Sequence, residues 1–348
     1  MISNTTGHKI YNSPAFGVKL QVLSSQNSVN QSQCGNKHLA SSPAKLKADE
    51  FMKSGAFDKA AEYYKLSLFQ NPEDYESQLN IAKTYTYSNQ FNLAIPYLQA
   101  YLKLKPNDIE NITLLGECYK KSGMFSKSIE YFTKALELEP NYDYARRNLL
   151  DAQNLKLACV DPAKARKQRY ETAVNNLTQA VKIAKNNLPK GFTDNMKDIV
   201  VTFDKTATMG GRSNIAQYEH SKRKISVTDD YTYADPRLTG AYVIHEFVHG
   251  KDNDPYTSVR EEQDAYRAQA KYWVENVKNI YDPEMDYVAD LYKQSAETLD
   301  KRVAEIYKLR DPQIPETSYN HPPSKYKTAA YSLSSRSVEP LRAYEIIV

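Results

Sequence analysis

The sequence predicts two architectures joined in one chain: an all-α solenoid of stacked helix pairs, then an α+β domain. Three observations carry that expectation. Phe57, Phe91 and Phe125 recur at intervals of 34 residues, with Tyr63, Tyr97, Tyr131 and Pro72, Pro106, Pro140 in the same register. Short β-rich runs, Ile199–Phe203, Asn214–Tyr218 and Lys224–Val227, are confined to the second half. Just after them, Ala241–Gly250 reads AYVIHEFVHG, with two histidines four residues apart and a glutamate following the first.

Composition removes several classes of function. The chain has 348 residues, 41% of them hydrophobic, enough for two cores. Its 46 Lys and Arg against 42 Asp and Glu are interspersed, so no nucleic-acid footprint is present. Three cysteines, Cys34, Cys118 and Cys159, stand apart in no CxxC arrangement, so neither a disulfide framework nor a cysteine zinc site is indicated. No run has the apolar length of a signal core or a membrane span, and a cytoplasmic setting is expected.

In order along the chain, residues 1–42 are rich in Ser, Asn and Gln, lack acids and read as a disordered leader that includes His8 and His38. Residues 43–157 carry the repeats. FDKAAEYYKLSLFQNPED, FNLAIPYLQAYLKLKPND and FSKSIEYFTKALELEPNY resemble the second helices of three tetratricopeptide repeats, with small residues Ala60, Ala94 and Ser128 where helices would pack closely. The signature tryptophan is missing from all three, and the first-helix glycine remains only as Gly116. Asn141–Leu157 is the capping helix such an array needs. The resemblance implies a concave surface that binds a peptide or protein partner.

Residues 158–311 form the second expected domain. Asp161-Pro162 opens a helix to Asn187, with Ala173, Leu177, Ala180, Val181, Ile183 and Ala184 buried. Asp235-Pro236 starts the helix that carries the histidines, and Gly250 stops it. On a helix, residues i and i+4 share a face, so His245 and His249 can aim two imidazoles at one point. A catalytic zinc takes three protein ligands and keeps one position open, and Glu246 stands where a general base would be needed.

HEFVH, preceded by the Ile225-Ser226-Val227 strand and followed by a charged loop and a second helix, is similar to the zincin metallopeptidases, and among them to the gluzincins. The metzincin pattern does not fit, because Asp252 and Pro255 occupy its glycine and last-ligand positions. The resemblance implies a zincin-like α+β fold, a Zn2+ cofactor, a peptide or protein substrate, and a third ligand from a glutamate on the next helix. Ser258-Val259-Arg260-Glu261 reads as a capping box, which assigns Glu261 to the helix start. Glu262 falls on the apolar stripe Val259, Glu262, Tyr266, Trp273, Val277 and is the ligand selected, with Glu261 and Asp264 as alternatives.

The expected activity is peptide hydrolysis by a zinc-activated water, with Glu246 as base and then acid. Lys224–Val227 would be the edge strand that pairs with substrate, and Tyr256 or Tyr266 would support the oxyanion. The alternative is a repeat scaffold whose zincin-like part does not turn over; a non-peptide amide hydrolase is a third reading. Further on, Glu284–Leu309 is expected as one long helix. Residues 312–348 read as a Pro-, Ser- and Tyr-rich tail in which His321 is a loop residue, and His220 belongs to a strand end.

Overall fold

The computed structural model describes residues 42–188, 198–204, 208–209, 212–213, 215–251, 258–310 and 344–347. The chain divides between Ala165 and Arg166 into two units.

The first unit is a run of helix pairs: α1 (Pro43–Lys53) with α2 (Phe57–Gln70), α3 (Tyr75–Tyr87) with α4 (Phe91–Leu104), and α5 (Ile109–Lys121) with α6 (Phe125–Leu138), then α7 (Asp143–Ala158). Local chemistry sets the ends. Asp74 and Asp108 cap α3 and α5 by accepting the amides of Ser77 and Asn111 at 3.0 and 3.1 Å. Within each pair, the turn passes through a left-handed residue at one repeat position: Gly55, Asn89 and Gly123, with φ of 73°, 60° and 75°. The amides that follow reach back five residues, as Ala56 to Phe51, Gln90 to Tyr85 and Met124 to Tyr119, which closes each first helix in a Schellman motif.

Packing repeats with the same period. Phe51–Tyr63, Tyr85–Tyr97 and Tyr119–Tyr131 are ring pairs with centroids 5.3, 6.0 and 5.4 Å apart, each linking the two helices of a pair. Ala60, Ala94 and Ser128 are fully buried at the positions read as close-packing sites. Leu98, Ile112, Leu115 and Phe132 complete the core, each contributing about 1.5–3 kcal/mol by burial.

The second unit begins along α8 (Pro162–Asn187), whose Ala173, Leu177, Ala180, Val181 and Ala184 are buried against a sheet and a helix. The sheet has the order β4-β5-β1-β6, with β1 (Val200–Asp204), β4 (Ala216–Glu219), β5 (Lys224–Thr228) and β6 (Tyr344–Ile347); a separate two-residue pair joins β2 (Thr208–Met209) to β3 (Arg212–Ser213). β5 runs parallel to β1, while β4 and β6 are antiparallel to their neighbours. After β5 come α9 (Pro236–His249), α10 (Val259–Asn276), α11 (Pro283–Gln294) and α12 (Ala296–Arg310).

Three features differ from the sequence reading. Lys224–Val227 is not an edge: β5 lies between β4 and β1, and among the described residues the edge on its side of the sheet is β4. Tyr344–Ile347, counted with the tail, pairs with β1. The helix expected over Glu284–Leu309 is two helices, because Ser295 adopts extended backbone (φ −172°, ψ 158°) and its Oγ accepts the Thr298 amide at 3.0 Å, capping α12. Among the described residues, no helix is long and apolar enough to cross a membrane.

Candidate metal centre

α9 is buried on every side from Leu238 to His249. Asp235 caps it by accepting the Arg237 amide at 2.8 Å, and Pro236 occupies the first turn, where its missing N–H costs nothing. Gly250 ends it with φ −83°, not in the left-handed region, so its role is space: a Cβ there would meet Ile199 Cδ1 at 3.0 Å and Tyr218 Cζ at 3.4 Å. Gly240 does the same at the middle of the helix, where a Cβ would lie 2.8 Å from Ile183 Cγ2 of α8.

His245 and His249 face the start of α10. Their Nε2 atoms lie 3.5 and 3.7 Å from the two oxygens of Glu262, and one ligand atom from each of the three residues lies within 4.8 Å of the others. Two ligands held about 2.1 Å from a common tetrahedral centre stand about 3.4 Å apart, close to the separation of each imidazole from Glu262. Glu262 Oε2 is buried and makes no hydrogen bond, which leaves an acceptor aimed at that centre. A nitrogen–nitrogen–carboxylate set of this kind fits zinc chemically.

Glu246 stands beside the pair, buried, with Oε2 accepting the backbone amide of Tyr218 at 2.7 Å. That amide is available because of strand register. The Thr228 amide bonds to the Ile215 carbonyl, so Tyr218, three residues along and opposite Ile225, turns its amide away from β5.

The outer partners of the histidines come from α10. Gln269 Oε1 lies 3.2 Å from His245 Nδ1, and Glu261 Oε1 lies 2.7 Å from His249 Nδ1. Ser258 does cap α10, accepting the Glu261 amide at 3.1 Å, but the Glu261 carboxylate assigned to the cap reaches the histidine. Tyr266 packs edge-on against His245, with ring centroids 4.6 Å apart. It is buried there among Val288, Leu299 and Ile306. Tyr307 from α12 is among the groups that help to hold the Glu262 carboxyl low.

Three carboxylates, Glu246, Glu261 and Glu262, surround two imidazoles in a buried space, and the excess negative charge calls for a cation. Burial pulls the His249 imidazolium down, but Glu262, the hydrogen bond to Glu261 and the charge of Glu246 outweigh it and push the group up to about 10. Burial raises the Glu246 carboxyl above its ordinary value, against the lowering pull of both histidines. For Glu262, burial is overcome by His249, His245 and hydrogen bonding, and its carboxyl is held below the usual range.

Asp264 points elsewhere, to Arg267 and Arg260, and is not in the cluster. His220 forms a ring contact with Tyr218 at 4.6 Å. Tyr256 and His321 lie outside the described residues. Gln269 was missed by the sequence reading, although its place seven residues after Glu262 on the buried face of α10 could have pointed to it; the Tyr218 amide and the role of Glu261 have no sequence signal.

The paired helices of the first unit and their 34-residue period define tetratricopeptide repeats, and the comparison with known families agrees: residues 75–108 and 113–142 match the tetratricopeptide repeat. No curated protein sequence matches the chain. Among solved structures, MamA of AMB-1 is 23% identical over 36% of this chain and 68% of its own, with a TM-score of 0.32. MamA from Desulfovibrio magneticus RS-1 is 22% identical over 35% and 72%, at 0.31. The second such domain of human RPAP3, solved with an HSP70 peptide, is 19% identical over 32% and 92%, at 0.30. Likenesses this loose carry no statement about the ligands of this chain.

Proposed function

We propose that the chain joins a protein-binding repeat array to a zinc-dependent peptidase of zincin-like, gluzincin type. The observation that carries the second half is the convergence of His245, His249 and Glu262 on one buried point with Glu246 beside it. His245, His249 and Glu262 would hold the zinc, which when bound would acidify a water molecule and polarise a substrate carbonyl. Glu246 accepts the proton and returns it to the leaving amine, its burial keeping the carboxyl ready to hold that proton. β4, rather than β5, presents the edge to an extended substrate backbone, and Ala216 turns its amide and carbonyl to the same side as Tyr218.

For the repeats, the family matches support binding of a protein or peptide partner. Because they match the repeats alone, they favour a second reading more directly, in which partner binding is the whole biological role and the second unit does not turn over. One experiment separates the two. Elemental analysis of the purified chain beside His249→Ala, followed by a peptide-library cleavage assay beside Glu246→Gln, should give one zinc per chain lost in the first variant and cleavage lost in the second. Zinc without cleavage of any peptide would leave the scaffold reading standing.

A further inference from the structure

The imidazoles of a metal site must present a lone pair, and the nitrogen not used by the metal decides which one is presented. Here both histidines turn Nε2 toward Glu262, while Nδ1 of His245 meets Gln269 and Nδ1 of His249 meets Glu261. Gln269 has one orientation that satisfies its surroundings. Its amide nitrogen donates to Met285 Sδ at 3.1 Å, so its oxygen faces His245 and accepts from Nδ1–H. Gln269 is 2% exposed and Met285 0%, with the Met285 amide tied to Asp282 at 3.0 Å, so this support cannot swing away.

Glu261 is held just as firmly. Its amide is pinned by Ser258 Oγ, and its place in the first turn of α10 sets a carboxylate at the favourable end of the helix dipole. Oε1 therefore accepts from His249 Nδ1–H, which makes Nε2 the nitrogen that would meet a metal. One helix thus supplies the third metal ligand at 262 and, one residue before and seven after it, the groups that orient the other two.

Resting on the metal-centre reading above, we propose that Glu261 and Gln269 are positioning residues that hold His249 and His245 as Nε2 ligands, Glu261 being the stronger because its acceptor is charged. A carboxylate behind an imidazole makes the imidazole a better donor as well as a fixed one. The division of labour between adjacent glutamates follows: Glu262 faces the metal and Glu261 faces the histidine.

The test is zinc affinity by competition with a chromophoric chelator, together with the visible absorption of the cobalt-substituted protein, for wild type, Glu261→Ala, Glu261→Gln, Gln269→Leu and His249→Ala. Glu261→Ala is expected to weaken zinc about 10–100-fold and to shift the cobalt bands. Glu261→Gln, which keeps an acceptor, should recover part of that loss, a rescue that a general loss of stability would not give. Gln269→Leu should weaken zinc less than Glu261→Ala.

Wild-type affinity and an unchanged cobalt spectrum in Glu261→Ala, with metal lost in His249→Ala, would overturn this proposal alone. No zinc in the wild type would overturn the metal-centre reading and the proposal with it. Should the alanine variant not fold, Glu261→Gln decides: about threefold to tenfold weaker zinc supports the role and wild-type affinity rejects it.

Discussion

The backbone N–H of Tyr218 donates to Oε2 of Glu246 at 2.7 Å. The edge strand of the sheet is thereby tied to the residue beside both histidines, and the carboxylate of Glu246 is oriented by backbone that a side-chain substitution at 218 would not remove.

A consequence concerns Glu246 itself. Glu246→Gln retains an oxygen that can accept the Tyr218 amide and leaves all three proposed ligands in place. Zinc content should match wild type, while peptide turnover falls about 10²–10⁴-fold for want of the proton acceptor. Full turnover in this variant would remove Glu246 from the mechanism.

The proton on His249 gives a pH dependence. Its value is raised to about 10 in the metal-free fold, so the imidazole is protonated at neutral pH, whereas a ligand nitrogen must be bare. Zinc uptake at pH 7 should release about one proton from this group, measurable by calorimetry in buffers of different ionisation heat, and affinity should rise about tenfold per pH unit toward 10. Affinity that stays flat between pH 6 and 8 would contradict the assignment. In the metal-free protein, the sign for stability is opposite: the contribution of His249 is complete below its unfolded value of 6.5 and is lost as pH climbs through about 10.

Gly240 fixes how closely α9 approaches α8. Gly240→Ala places a methyl 2.8 Å from Ile183 Cγ2, and a loss of about 1–3 kcal/mol is expected in urea unfolding. Ile183→Ala in the same chain should relieve much of it. Additive losses in the double variant would show that the contact is not the cause.

In the repeats, Cys118 is fully buried, and burial, with Glu117 beside it, pushes its thiol up to about 12. Cys159 is exposed. Iodoacetamide at pH 8 should therefore label Cys159 and spare Cys118 until the chain is unfolded, as peptide mass mapping would show. Equal labelling of the two in the native protein would contradict the packing of α5.

The helix pairs and the shared face of His245 and His249 were legible in the sequence because each depends on a local period: 34 residues per repeat, and 3.6 per helical turn. Glu262 was legible for a related reason, as an acid on a buried stripe. The break at Ser295 is local too, but an apolar stripe continuing from Met285 to Ile306 hides a cap that depends on one backbone angle.

Other features depend on which distant surfaces bury one another. Strand order made β4 the edge and brought 344–347 into the sheet, because a β-rich run carries no record of its partner. The meeting of α9 with α10 turned Glu261 from a capping residue into the partner of His249 and gave Gln269 to His245. The sequence by itself determined the repeats and the pair of imidazoles; only the tertiary structure decided what stands behind each imidazole, since that rests on the approach of two helices and not on the period of either.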